Sequence, residues 1–246
     1  MSKNVAVIIC AAGPSSRFGS KRKKPFVDVA GRAAFLRSLE LFANHDDVKQ
    51  LLLAIAPEDE ELVKVKWGPN LTFFNVKICF GGAERFETVS NALELIGDDI
   101  DLIAVHDAVR CCITDEWINQ VIAEAAKTDA AILACPVTAT IKKARDGTII
   151  ETVDRAGLWE AQTPQVFRAC LLKKAYENLK NLDKTKISDD CQLVEALGHK
   201  VSIVKTDSSN IKITYKSDIA VAEGILKSRP RPQAKGPIGP YAEAQW

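Results

Sequence analysis

Six short apolar runs, Val5–Cys10, Val48–Ala56, Val76–Phe80, Leu102–Val105, Ala130–Pro136 and Val201–Lys205, recur along the chain with helical patterns between them. Short runs rich in Val, Ile and Leu suit strands covered on both faces, and strands alternating with helices pair in parallel. The order predicts an α/β fold: a doubly wound, mostly parallel, Rossmann-like sheet in three layers. Helices are expected at Ala33–Asn44, Glu58–Lys66, Arg85–Ile96, Asp115–Lys127, Ala169–Leu182, Asp189–Leu197 and Lys216–Lys227, several with apolar residues at three- and four-residue spacing. One domain of this class accounts for residues 1–228 of the 246. Residues 229–246, rich in Pro, Gly and polar side chains, read as a disordered tail.

Two helix starts carry caps. Thr114 precedes Asp115 and Glu116, and Ser188 precedes Asp189 and Asp190, so a hydroxyl is expected to meet the free amides while the acids oppose the positive helix end. One segment breaks the rhythm. Residues 137–167 hold the strand-like pieces TIKKA and IIETVD around Asp146-Gly147, a β-hairpin signal. With Lys142, Lys143 and Arg145 on its outer face and few core-forming residues, this arm is expected to protrude and to pack on a second subunit, giving a homodimer.

Lys plus Arg total 33 against 32 for Asp plus Glu, so bulk charge gives no reason to expect nucleic acid or an anionic membrane as partner. No apolar stretch reaches the ~20 residues of a membrane span, and the opening residues run straight into a strand pattern; the cytoplasm is the expected compartment. The cysteines, seven in all, lack CxxC spacing and sit mostly in apolar runs, which points to buried free thiols. Cys111, beside Arg110, is the one candidate for a reactive thiolate.

Chemistry concentrates after the strands. The first run enters AAGPSSRFG, whose Ala11, Ala12 and Gly13 permit close backbone approach, and then Lys21, Arg22, Lys23 and Lys24; with Arg17 these read as a polyphosphate cradle, the alternative being a solvated loop with a basic surface run. Phe80-Gly81-Gly82 opens a helix containing Thr88, suited to backbone recognition of a base, the alternative being an ordinary glycine turn with Arg85 at the surface. His106-Asp107-Ala108-Val109-Arg110 ends a buried strand. Asp107 stands where a carboxylate can orient Mg²⁺, Arg110 can hold that carboxylate or a phosphate, and His106 reads as a near-core histidine. In TDSSNIKIT, Lys212 lies between Ile211 and Ile213 and points away from their face, toward solvent or a phosphate.

In combination these elements resemble the 2-C-methyl-D-erythritol 4-phosphate cytidylyltransferase family, nucleotidyltransferases of the non-mevalonate isoprenoid pathway. The resemblance spans roughly residues 5–226 and rests on AAGPSSRFG, GGAERFETV, VHDAVR, PVTATIK, TVDRAGLWEAQTPQVF, ISDD and NIKIT in the family's order, the long TVDR to QTPQ block being the most specific. It implies a cytidine triphosphate (CTP) site lined by Ala11, Ala12 and Gly13, with Arg17 and Lys24 on the phosphates and Gly81, Gly82 and Thr88 near cytosine. It further implies Lys212 at the reacting phosphate and Asp107 near the sugar phosphate and metal. The arm's Thr140 and Arg155 would complete a neighbouring subunit's sugar-phosphate pocket. The implied reaction is in-line attack of a sugar-phosphate oxygen on the α-phosphorus with loss of pyrophosphate. Its nucleophile is already anionic, so Arg17, Lys24, Lys212 and Mg²⁺ would act by neutralising charge.

Pro14-Ser15-Ser16 stands where the family has a second glycine, Pro25 follows Lys24 directly, and Ala83 replaces an aspartate near the base. Other readings of the same motifs are a cytidylyltransferase for ribitol 5-phosphate or another polyol phosphate, and a non-catalytic nucleotide-binding homologue. A Rossmann dehydrogenase would require GxGxxG in the first loop, which is absent.

Overall fold

The structure, a computed structural model, describes residues 3–15, 18–19 and 23–229. Arg17, Lys21 and Arg22 therefore lie outside the described residues, as does nearly all of the expected tail. In chain order the strands are β1 (Val5–Cys10), β2 (Asp28–Val29), β3 (Arg32–Ala33), β4 (Val48–Ile55), β5 (Val76–Phe80), β6 (Leu102–Asp107), β7 (Ala130–Pro136), β8 (Ile141–Arg145), β9 (Thr148–Val153), β10 (Trp159–Arg168) and β11 (Ser202–Lys205). The helices are α1 (Ala34–Ala43), α2 (Glu60–Phe73), α3 (Arg85–Leu93), α4 (Asp115–Thr128), α5 (Ala169–Glu177), α6 (Asp190–Glu195) and α7 (Ser217–Ser228).

Among the described residues seven strands form the main sheet, in the order β11-β7-β10-β6-β1-β4-β5. Every neighbouring pair is parallel except those of β10, which runs antiparallel to both β6 and β7. The alternating side chains of β1 explain the three layers: Val5, Val7 and Ile9 face one core, shared with α1, α2 and α4, while Ala6 and Ile8 face the other, shared with α3, α5 and α6. A third, smaller cluster joins Val109, Cys111 and Ile213 to Ala222 of α7.

Four expectations need correction. Residues 159–167 belong to the sheet and not to the arm: Trp159 to Arg168 make β10, and Gln162, Thr163 and Gln165 are buried despite their polarity. The protruding ribbon is β8–β9, closed by Asp146 and Gly147, both at positive φ. Helix α2 runs past Lys66 and through Pro69 to Phe73; the carbonyl that Pro69 leaves without a donor is that of Val65, on the exposed side of the helix, where water can take its place. At α6 the cap is Asp189, whose carboxylate accepts from the Gln192 amide, while Ser188 bonds the Gln192 side chain. Thr114 caps α4 as expected, accepting from Trp117 N. The expected Ala169–Leu182 helix ends at Glu177 and continues as a 3-10 turn. No helix among the described residues is long and apolar enough to cross a membrane.

Candidate active site

Residues that follow the carboxyl ends of β1, β5 and β6 meet at one cleft, where doubly wound sheets bind ligands. The parallel pairing of β1 with β6 puts Cys10 opposite Asp107, so the loop that begins at Ala11 starts beside that carboxylate. A cavity of about 310 Å³ opens there. Ala11, Ala12 and Gly13 form one wall, Gly82, Glu84 and Thr88 another, and Lys24, Arg85, Asp107 and Lys212 add further charge.

The two lysines flanking the described end of the basic loop do different work. Lys23 is turned away from the cavity, donating to Glu58 at 2.6 Å and to Asp59 at 2.8 Å. Lys24 lines the cavity, and its backbone N–H donates to Ser15 Oγ at 2.9 Å, clasping the two ends of the loop together. Pro25 occupies the first turn of the short 3-10 segment Lys24–Phe26, where a missing N–H costs nothing. Phe26 then stacks on Trp67 at 5.5 Å and meets Phe35 edge-on at 5.8 Å, which anchors the clasp in the core.

Across the cavity, a Cβ on Gly81 would lie 2.3 Å from Ala12 Cβ and one on Gly82 2.3 Å from Glu87 Cβ, so both positions are filled to the backbone. The Thr88 hydroxyl accepts from Gly82 N and donates to Glu84 O, each at 3.2 Å. Thr88 thus shapes the glycine turn. Glu84 and Glu87 complete a capping box at the start of α3.

Asp107 is the electrostatic centre. Arg85 Nε donates to its Oδ1 at 3.2 Å, Lys212 Nζ to its Oδ2 at 2.6 Å, and Arg110 Nε lies 3.8 Å from Oδ2. Burial opposes the charge, but Arg85, then Lys212 and Arg110, outweigh it and hold the carboxyl well below the ordinary range. Lys212 reaches this position because Ile213, buried beneath α7, donates its N–H to Val109 O at 3.0 Å.

A second cavity of about 220 Å³ adjoins the first through Arg85, Asp107 and Lys212, with Arg110, Gln162 and Ser188 on its walls. Here β10 supplies what the sequence reading missed. Gln162 Oε1 accepts from Thr206 and Asn210, Thr163 Oγ1 accepts from Asp107 N, and Gln165 ties Asp189 to the Cys191 amide. Arg110 Nη1 donates to Asn210 O at 2.7 Å. Arg85 and Asp190 were missed too: Arg85 is interior, and Asp190, 1% exposed, holds its Nη1 at 2.7 Å. The QTPQ block and ISDD were the available signals.

Asp107 and Glu84 are the carboxylates on the first cavity's wall, and among the described residues no group of three or more His, Cys, Asp and Glu side chains is arranged to hold a metal ion. Thr140 and Arg155 sit exposed on the arm and line neither cavity; Arg155 donates to Thr138 O.

His106 and Cys111 lie outside the chemistry. His106 is fully buried, its Nδ1 against Thr163 Oγ1, and burial pushes its pKa down from 6.5 to about 3. Cys111 is 1% exposed, and its hydrogen bond with Cys112 together with burial drives its pKa up, against thiolate formation. All seven cysteines are free. Because the unfolded chain protonates His106 before the folded one does, stability is expected to fall as pH drops from about 6.5 toward 3. The slope should approach 1.4 kcal/mol per pH unit, and His106→Gln should flatten it in urea unfolding between pH 7.5 and 4.5. An unchanged slope would show that the folded chain protonates this ring freely.

Residues 5–228 match the family model described as "IspD: 2-C-methyl-D-erythritol 4-phosphate cytidylyltransferase". The protein of that name from Endomicrobium trichonymphae is 44% identical over 225 residues, covering 91% of this chain and 99% of its own. The one from Rhodopirellula baltica is 37% identical over 236 residues, covering 91% and 95%. Among solved structures, the 4-diphosphocytidyl-2C-methyl-D-erythritol synthase of Anaerococcus prevotii superposes with a TM-score of 0.78 at 28% identity, covering 92% of this chain and 97% of that one. The Thermus thermophilus 2-C-methyl-D-erythritol 4-phosphate cytidylyltransferase gives 0.76 at 29% identity, covering 91% and 99%.

Proposed function

The chain belongs to the 2-C-methyl-D-erythritol 4-phosphate cytidylyltransferase family, and on that premise we propose how its two joined cavities carry out the reaction. It is a nucleotidyltransferase that moves the cytidylyl group of CTP onto 2-C-methyl-D-erythritol 4-phosphate, giving 4-diphosphocytidyl-2-C-methyl-D-erythritol and pyrophosphate. The observation that supports the assignment of sites is that Asp107 and Lys212 line both cavities. CTP takes the larger cavity and the acceptor phosphate the smaller, so that the α-phosphorus and the attacking oxygen meet at Lys212. A phosphate oxygen of the acceptor bonds to the α-phosphorus as the bond to the bridging oxygen of pyrophosphate breaks. No proton need be removed from the nucleophile, which is already anionic.

Lys24 faces the leaving phosphates and Lys212 the α-phosphate; Arg17, which the family resemblance assigns to the phosphates, lies outside the described residues. Ala11, Ala12 and Gly13 bring backbone to the nucleotide, and the turn of Gly81 and Gly82, shaped by Thr88, meets the base. Arg110, held by Asn210, faces the acceptor. Mg²⁺ fits this donor set as a guest of the triphosphate: Asp107 gives its oxygens to Arg85 and Lys212, and Glu84 serves its cap, so phosphate oxygens and water must supply most ligands, with Asp107 the adjoining carboxylate. When bound, the ion neutralises charge on the leaving pyrophosphate. The arm, whose Ile149 and Ile150 are 61% and 52% exposed, serves a homodimer in which Thr140 and Arg155 reach the partner's acceptor cavity. Both substrates are soluble polyanions, which suits a cytoplasmic enzyme.

Pyrophosphate release with CTP, UTP and ATP, each offered with 2-C-methyl-D-erythritol 4-phosphate and with ribitol 5-phosphate, tests base and acceptor together. CTP with methylerythritol phosphate should be fastest; faster ribitol 5-phosphate would reverse the acceptor assignment. Gly81→Ala must push the glycine turn away from Ala12 or Thr88, where an added Cβ lies 2.3 and 2.7 Å from their atoms. It should cost about 1–3 kcal/mol of stability and raise the KM for CTP, read by denaturation and steady-state kinetics. An unaltered KM would free that turn from nucleotide binding.

A further inference from the structure

Two buried polar groups behind the site, Tyr176 and Asp190, line neither cavity, and Arg85, which lines both, joins them to Asp107. Tyr176, on α5, donates to Asp190 Oδ1 at 2.5 Å; Asp190 Oδ2 accepts from Arg85 Nη1 at 2.7 Å; and Arg85 Nε reaches Asp107 Oδ1. Tyr176 lines neither cavity, and its ring packs in the α3–α5–α6 core. We propose that Tyr176, Asp190 and Arg85 form a brace that sets which oxygen of Asp107 is left for Lys212, making Tyr176 a positioning residue for nucleotidyl transfer.

Stability alone does not account for this chain of groups. Helix capping is already done by Asp189, so Asp190 is not needed for it. A carboxylate 1% exposed is costly to bury, and an apolar side chain in its place is commonly as stable or more so. What Asp190 does supply is a fixed direction for the guanidinium. An unrestrained arginine takes a carboxylate with both arms of its fork. Here one arm is held by Asp190 and only Nε is spent on Asp107 Oδ1, so Oδ2 stays with Lys212 at 2.6 Å. The remaining Arg85 nitrogen, Nη2, is buried without a partner among the described residues, as expected of a fork oriented by one strong acceptor at the expense of another bond. Tyr176 in turn fixes the Asp190 carboxylate by its other oxygen, which burial would otherwise leave unpaired.

The inference rests on the transferase reading above, and the test separates the two. Tyr176→Phe should lower kcat for pyrophosphate release by about three- to tenfold with the KM for CTP within twofold, and the loss should vanish in a Lys212→Met background, because both changes act through one contact. The Arg85 Nε–H, followed by ¹⁵N NMR on the full chain, should exchange with water at least tenfold faster in Tyr176→Phe. Asp190→Asn, which keeps a partner for Tyr176 but drops the charge, should repeat the kcat loss. An unchanged kcat, or a loss that persists in full in the Lys212→Met background, overturns the brace. If the wild-type chain releases no pyrophosphate, the transferase reading fails, and the exchange rate then decides the brace: no acceleration overturns it.

Discussion

Replacing Lys212 by methionine is expected to lower kcat for pyrophosphate release by about 100-fold or more while leaving the melting temperature nearly unchanged. The two halves of this expectation have separate causes. The Lys212 side chain is 40% exposed, so its ion pair with Asp107 is screened by water and contributes little to folding. Methionine also keeps the apolar stem beside Ile211 and Ile213. In the proposed transfer the same ammonium faces charge spreading over the α-phosphate in a cleft from which substrate would expel water, where a fixed cation counts for far more. Lys212→Arg should recover part of the loss, because the charge returns but the point geometry does not. A fall of less than tenfold for Lys212→Met would remove Lys212 from the reacting phosphate.

Asp107→Asn should be the most destabilising change at the site, by about 3–5 kcal/mol, or roughly 10 °C in melting temperature for a chain of this size. Asp107 is 6% exposed and answers three cations; the amide keeps the shape and loses the charge, so Arg85 and Arg110 remain buried beside an uncharged group. The acid limb separates its contribution from that of His106. The folded carboxyl titrates below its unfolded value, so its stabilisation is present above about pH 4 and is lost as pH falls below that. The Asn variant should lack this loss and keep the His106 slope between about pH 6.5 and 4. A variant as stable as the wild type would mean that the three cations are solvated without Asp107.

The buried parallel strands were legible because their composition states their environment: β1 is apolar throughout, and β4 and β6 are apolar over residues 51–55 and 102–105, as two-sided burial demands. β10 was read as part of the arm because the middle of WEAQTPQVFR is polar. Its Gln162, Thr163 and Gln165 are nonetheless buried, satisfied by Thr206, Asn210, His106 and Asp189 from distant parts of the chain. Pairing of that kind has no local signature. The same limit explains Asp190: next to a helix start, an acid reads as a cap, and only the folded chain shows it turned toward Arg85. The wall of the first cavity was legible, since Ala11 to Gly13, Gly82, Asp107 and Lys212 follow strand ends or carry unusual residue types. What sequence could not separate was Lys23 from Lys24, one residue apart and chemically alike, until Glu58 and Asp59 were seen to claim the first.

The clasp between Ser15 Oγ and Lys24 N turns the basic stretch into a small ring, its posts nine residues apart in sequence and held to one another by the molecule's own core. In polymer terms the cost of closing such a ring rises only logarithmically with its contour, about 0.6 kcal/mol for each doubling. Closure itself therefore takes little of the folding free energy, but the ring has a third post: Phe18 is 3% exposed and belongs to the small core cluster with Val27, Val29 and Ala34. A chain of this fold that changed the number of residues between Ser15 and Lys24 would keep its stability only where Phe18 stayed in that cluster.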